Sequence, residues 1–138
     1  MPQLNCINDP IMVHSQLVRQ VKDGPKLIAV FFRQEASGDE PVRSWLKSRV
    51  NENERRVIGI DIQAVQFGWP LGLPLVDHVA GDIWEVRTKL ENRIARVFFA
   101  CDGSTMVLLH GVVKKQQKAD RDDIDLAQKR WKKWKDAK

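Results

Sequence analysis

The chain has 138 residues, 43% of them hydrophobic, which suits one domain with a modest core. No apolar run approaches the roughly 20 residues of a membrane-spanning helix, and the first residues lack the pattern of a secretory signal. Two cysteines without CxxC or HxxxH spacing argue against a disulfide framework and against a metal site. We therefore expect a cytoplasmic protein without a cofactor.

The net charge of +5 is concentrated near one end of the chain. Residues 1–109 contain 13 basic and 13 acidic side chains, whereas residues 110–138 contain 10 basic and 5 acidic ones. A positive field confined to one region favours a polyanionic partner such as RNA. A solvated helix face that only aids solubility explains the charge equally well.

The N-terminal part of the chain predicts one helix and one strand. Apolar residues recur at helical spacing after Pro10, so we expect residues 1–25 to form an extension with a short helix. The apolar run LIAVFF at 27–32 is typical of a buried strand. We expect the folded domain to comprise residues 26–138.

Two helices are predicted to follow as a pair. One begins at Pro41, and the other runs from about Glu54 to Gly68, with the stretch Asn51–Asn53 between them. The apolar residues of each follow the period of one helix face, so the pair can cover one face of a sheet.

Strands and one helix make up the rest of the chain. The predicted strands are Leu75–Val79, Ile83–Leu90, Arg93–Cys101 and Thr105–Val113. Aspartates crowd the start of the last helix and lysines its end, which suits the helix dipole. The predicted fold class is α+β, with a small twisted antiparallel sheet, a two-helix unit on one face and a C-terminal basic helix.

The predicted turn at Glu91-Asn92 decides which residues of two strands lie opposite each other. If the turn has two residues, Arg87 lies directly opposite Arg96 on one face of the sheet. Guanidinium groups bind phosphate well, so this pair is a predicted phosphate site. Ordinary strand positions paired with Glu85 or Glu91 are the alternative.

The position of His110 depends on the turn that begins at Asp102-Gly103. A three-residue turn pairs Cys101 with Thr105 and brings His110 opposite Arg96, whereas a two-residue turn sends His110 to the other face. In the first register His110 is placed to move protons near neutral pH. A structural histidine in the core is the alternative.

Seven stretches after Lys26 occur in a characteristic order. They are LIAVFF (27–32), EPVRSWL (40–46), ERRVIGIDIQAVQFGWPLGLPLV (54–76), IWEVRTKL (83–90), IARVFFA (94–100), MVLLHGVVKKQQK (106–118) and DIDLAQKR (123–130). Together they resemble the phage-derived, HigB-like branch of the RelE/ParE toxin superfamily. The resemblance implies a RelE-like sheet and the toxin of a type II toxin–antitoxin system.

The resemblance also implies an activity and partners. RelE and HigB relatives cut mRNA on the ribosome without a metal, whereas ParE relatives inhibit DNA gyrase. We expect a metal-independent mRNA endonuclease that inhibits translation, with a helix-turn-helix antitoxin encoded by the adjacent gene. A ParE-like gyrase inhibitor and a plain nucleic-acid-binding module are the alternatives. The chain has no tyrosine, although several RelE-type nucleases use one near the scissile phosphate.

Cleavage of RNA without a metal proceeds by attack of the 2′-hydroxyl on the adjacent phosphate, and it needs proton transfer and charge stabilisation. The predicted catalytic residues are Arg87, Arg96, His110, Lys114 and Lys115. The predicted RNA-binding residues are Lys89, Lys118, Arg121, Lys129 and Arg130. No metal ligands are predicted.

Overall fold

The computed structural model describes residues 24–138. Its elements are β1 (Ile28–Phe31), α1 (Pro41–Ser48), α2 (Glu52–Gly68), β2 (Val76–Ala80), β3 (Ile83–Leu90), β4 (Arg93–Asp102), β5 (Thr105–Lys114) and α3 (Arg121–Asp136). The bounds predicted for the strands, and those predicted for the paired helices, agree with these within two residues. The helix predicted after Pro10 lies outside the described residues.

The strands form one mixed sheet with the order β1-β5-β4-β3-β2. Strands β2 to β5 are an antiparallel meander, and β1 joins the free edge of β5 in parallel. The predicted α+β class, with its meander and terminal helix, is confirmed. The sheet as a whole is mixed and not antiparallel as predicted, because β1 pairs with β5 in parallel. The helices α1 and α2 connect β1 to β2, which lie at opposite edges of the sheet.

The two-helix unit covers one face of the sheet, as predicted. Ile58, Ile62 and Val65 of α2 pack in the same core cluster as Val97 and Phe99 of β4. The side chain of Asn51 accepts from the backbone of Glu54 and the side chain of Glu54 accepts from the backbone of Asn51, so a capping box fixes where α2 begins.

Helix α3 covers part of the opposite face. Its buried Ala127 and Trp131 pack in a second cluster with Phe98 and Leu109, which project from β4 and β5. The sheet therefore has apolar contacts on both faces. None of the helices within residues 24–138 is long and apolar enough to cross a membrane.

The β3–β4 turn has the predicted register. Leu90 pairs with Arg93, and Arg87 lies directly opposite Arg96. Asn92 has a φ of 62°, a conformation that asparagine tolerates better than most residues. The two-residue turn is thus confirmed.

The register predicted for His110 is wrong. Asp102 pairs with Thr105 across a two-residue turn, but a β-bulge at Leu109 then shifts the pairing by one residue. His110 therefore lies opposite Phe98, and Val112 lies opposite Arg96. The bulge compensates for the shorter turn, so His110 still lies on the same face as Arg96, one row of the sheet away.

Candidate functional site

A cleft of about 650 Å³ opens beside the β3–β4 turn, and we call it the basic cleft. Its basic lining residues are Arg87, Lys89, Arg93 and Lys115. Its other lining residues are Leu73, Pro74, Leu90, Asn92, Ile94 and Gln117, so within residues 24–138 no carboxylate lines it. Arg87 contacts Glu85 and Arg93 contacts Glu54, whereas Lys89 and Lys115 make no ion pair with the described residues. Unpaired cations in a concave surface concentrate anions there.

Arg87 joins the basic cleft to the loop between β5 and α3, residues 115–120. Its Nη1 donates to the carbonyl oxygen of Gln117 at 3.0 Å and contacts Oε2 of Glu85 at 3.2 Å. The side chain is 14% exposed, because these contacts hold it against the sheet. Arg87 therefore belongs both to the wall of the cleft and to the support of the loop.

Arg96 lies beneath that loop and is only 1% exposed. Its Nη1 donates to Oε1 and Oε2 of Glu85 at 3.0 and 3.1 Å, and its Nη2 donates to the carbonyl oxygen of Gln116. The prediction that Arg96 faces a bound phosphate is therefore wrong for this structure. An internal carboxylate, Glu85, occupies the position between the guanidinium groups that an external phosphate was predicted to take.

His110 forms a separate cluster with α3. Its Nε2 lies 2.8 Å from Oδ1 of Asp123, and its ring stacks on Phe98 with centroids 5.7 Å apart. Burial lowers the pKa of His110 and outweighs the opposing effect of Asp123. Arg130, predicted to bind RNA, donates from Nη1 to the carbonyl oxygen of the bulge residue Leu109 at 2.9 Å. Arg130 thus supports the bulge that orients His110.

Lys114 joins the same cluster through two carboxylates. Its Nζ lies 2.5 Å from Oδ2 of Asp120 and 3.0 Å from Oδ2 of Asp123. These hydrogen bonds, that of Asp120 foremost, raise the pKa of Lys114, so its ammonium group is charged and paired. The cluster attaches the start of α3 to the end of β5.

The ten predicted site residues therefore do not form a single site. Arg87, Lys89 and Lys115 line the basic cleft, whereas His110 and Lys114 do not. Lys118 is exposed in the loop, and Lys129 and Arg121 are exposed on α3, where Arg121 lies 3.6 Å from Asp125.

The sequence-based prediction missed Arg93, Leu73 and Pro74. Arg93 lines the cleft while it also contacts Glu54 of α2. The register that pairs Arg87 with Arg96 also places Arg93 beside the turn, so the sequence already indicated that Arg93 lies near Arg87. Leu73 and Pro74 lie between α2 and β2, and nothing local indicates that this segment reaches the hairpin.

Comparison with known families identifies the described domain. The family model of phage-derived Gp49-like proteins (DUF891) matches residues 44–132, which is more than half of the chain and includes every residue of the basic cleft. No curated protein matches the chain significantly. The chain belongs to the phage-derived Gp49-like family, which is associated with RelE-like toxins of toxin–antitoxin systems.

Proposed function

We propose that the protein is a HigB-like toxin of a type II toxin–antitoxin system that cuts ribosome-bound mRNA without a metal and acts in the cytoplasm. The observation that carries this proposal is the basic cleft, which four cations line and in which Lys89 and Lys115 make no ion pair with the described residues. Arginine and lysine in such a surface bind the phosphates of a nucleic acid. Membership in a family associated with RelE-like toxins supports the choice of RNA.

The proposed reaction needs no group beyond the RNA and the side chains. The 2′-oxygen bonds to phosphorus as its proton leaves, and the bond from phosphorus to the 5′-oxygen breaks as that oxygen gains a proton, which the ammonium group of Lys115 would donate. The products are a 2′,3′-cyclic phosphate and a 5′-hydroxyl. Arg87 and Lys115 would stabilise the charge on the phosphate oxygens.

His110 is the proposed proton acceptor. Its lowered pKa keeps the imidazole neutral at pH 7, and Asp123 orients the ring. Because His110 does not line the basic cleft, the proposal requires the scissile phosphate to lie at the side of the cleft toward β5, where Lys115 and His110 can both reach it. Arg96 would act only by positioning the loop.

A cognate antitoxin is the proposed protein partner. A helix-turn-helix protein encoded by the adjacent gene would neutralise the toxin by covering the cations of the basic cleft with acidic side chains. Co-expression of the two genes should restore growth, and the complex should bind RNA less tightly than the toxin alone.

Induction of the chain in bacterial cells tests the proposal. Translation should stop, and mapping of transcript 5′ ends should show cuts at discrete positions. The double variant Lys89→Ala/Lys115→Ala should lose both effects, because both lysines line the cleft. The control Lys47→Ala/Lys132→Ala removes two lysines on other exposed surfaces and should keep both effects. Intact transcripts in arrested cells would contradict the proposal.

A second function, non-enzymatic inhibition of DNA gyrase, is favoured by one observation. Among residues 24–138, the lining of the basic cleft includes no histidine and no carboxylate, the side chains that most often accept a proton in catalysis. A surface of this kind binds without transferring protons. This alternative predicts DNA-damage signalling with intact mRNA, whereas a plain nucleic-acid-binding module predicts normal growth.

A further inference from the structure

We propose that the basic cleft holds one unpaired nucleotide of a single-stranded RNA, with its base against Leu73 and Pro74 and its phosphate toward the cations. The inference rests on the proposed function only in naming the strand as RNA. It assigns a base-binding role to a segment, residues 73–74, that carries no charge and no catalytic group.

The two sides of the cleft differ in chemistry. The β3–β4 hairpin and Lys115 supply the positive charge, whereas the segment between α2 and β2 supplies the apolar residues Leu73 and Pro74. Leu73 is 67% exposed, and only two other large apolar residues within 24–138, Ile28 and Ile60, are comparably exposed. An apolar side chain beside cations suits a ligand that is itself part aromatic and part anionic.

A nucleotide has this combination. The flat faces of its base are apolar and pack on apolar side chains, while its phosphate requires cations. The volume of about 650 Å³ lies within the range of about 300–1,000 Å³ of small-molecule sites. Asn92 and Gln117 add amide groups, which can donate to and accept from the edge of a base.

The base must be unpaired to reach Leu73. In double-stranded RNA the bases are stacked, and the major groove is too deep and narrow for side chains to read. A duplex presents only its backbone to the cations, so the apolar side of the cleft would stay exposed to water. The cleft should therefore prefer single strands to duplexes.

Binding to a 2′-O-methyl RNA octamer tests this inference, because the methyl group blocks attack by the 2′-oxygen. Leu73→Ala in the full chain should weaken binding at least about fivefold, because the base would no longer bury the methyl groups of Leu73. The matched control is Ile60→Ala, which removes a similarly exposed apolar side chain from α2 outside the cleft and should leave binding unchanged.

Inorganic polyphosphate serves as a base-free probe of the cations alone. Its affinity should be equal in the unmodified chain and in Leu73→Ala, and an RNA duplex should bind more weakly than the octamer. Equal octamer affinity in Leu73→Ala, or an equal loss for polyphosphate, would overturn the inference.

The outcomes separate this inference from the proposed function. If the octamer binds with the expected Leu73 dependence while cellular transcripts stay intact, the nuclease proposal fails and the nucleotide site stands. If transcripts are cut while Leu73→Ala binds the octamer normally, the nucleotide site fails and the nuclease proposal stands.

Discussion

Replacing Glu85 with glutamine should destabilise the protein strongly. Glu85 is fully buried, and its carboxylate contacts both Arg96, which is 1% exposed, and Arg87. Glutamine keeps the shape of the side chain but leaves the buried Arg96 guanidinium without a counter-charge. Breaking a buried ion pair from one side costs about 3–5 kcal/mol, a large part of the about 5–15 kcal/mol that stabilises a typical domain.

The matched control is Glu40→Gln, which breaks an exposed pair. Glu40 contacts Arg43 with side-chain exposures of 29% and 52%, and its side chain makes no capping bond to α1. An exposed pair contributes less than about 1 kcal/mol. Urea unfolding followed by the fluorescence of the five tryptophans measures both free energies of unfolding.

A double variant separates charge from packing. In Glu85→Leu/Arg96→Met the fully buried charge pair is gone and only Arg87, which is 14% exposed, loses a carboxylate partner, so the free energy of unfolding should be higher than that of Glu85→Gln. Hydrogen exchange in the loop 115–120 should still increase, because the carbonyl oxygen of Gln116 loses its donor. Equal small losses in Glu85→Gln and Glu40→Gln would refute the reasoning.

Three further predictions concern packing, pH and the bulge. Gly111→Ala should lower the free energy of unfolding in urea by about 1–3 kcal/mol, because its Cβ would lie 2.4 Å from the ring of Trp45. Gly59→Ala, in open space on α2, should raise the free energy of unfolding by up to about 1 kcal/mol. Because burial lowers the pKa of His110 in the folded chain, stability should fall as pH drops below the unfolded value of about 6.5, and His110→Gln should flatten that fall. Arg130→Met should shift the imidazole NMR signals of His110, because the bulge loses its side-chain donor; unchanged signals would show that the bulge does not need Arg130.

The sequence predicted those parts of the fold that local interactions determine. Asparagine and a short polar turn at 91–92 fixed the pairing of Arg87 with Arg96, because a turn of known length sets every later pair of a hairpin. Alternating apolar residues predicted the strands, and apolar residues at helical spacing predicted the helix faces. Both patterns depend only on residues that are close in the sequence.

Non-local contacts explain what the sequence did not predict. The bulge at Leu109 is supported by Arg130, which lies in another element, so turn residues alone gave the wrong partner for His110. Alternation placed Glu85 on the same face as Arg96 but did not indicate that a loop closes over both. Because the loop covers Arg96, this residue supports the loop instead of binding phosphate.

The salt dependence of RNA affinity tests the basic cleft most directly. For a single strand, the logarithm of affinity falls with the logarithm of salt concentration with a slope of about −0.7 for each cation that contacts phosphate, so four cations predict a slope near −2.8. Lys89→Ala/Lys115→Ala should bring the slope to about −1.4, while Lys47→Ala/Lys132→Ala should leave it unchanged. An unchanged slope in Lys89→Ala/Lys115→Ala would show that the RNA backbone binds elsewhere.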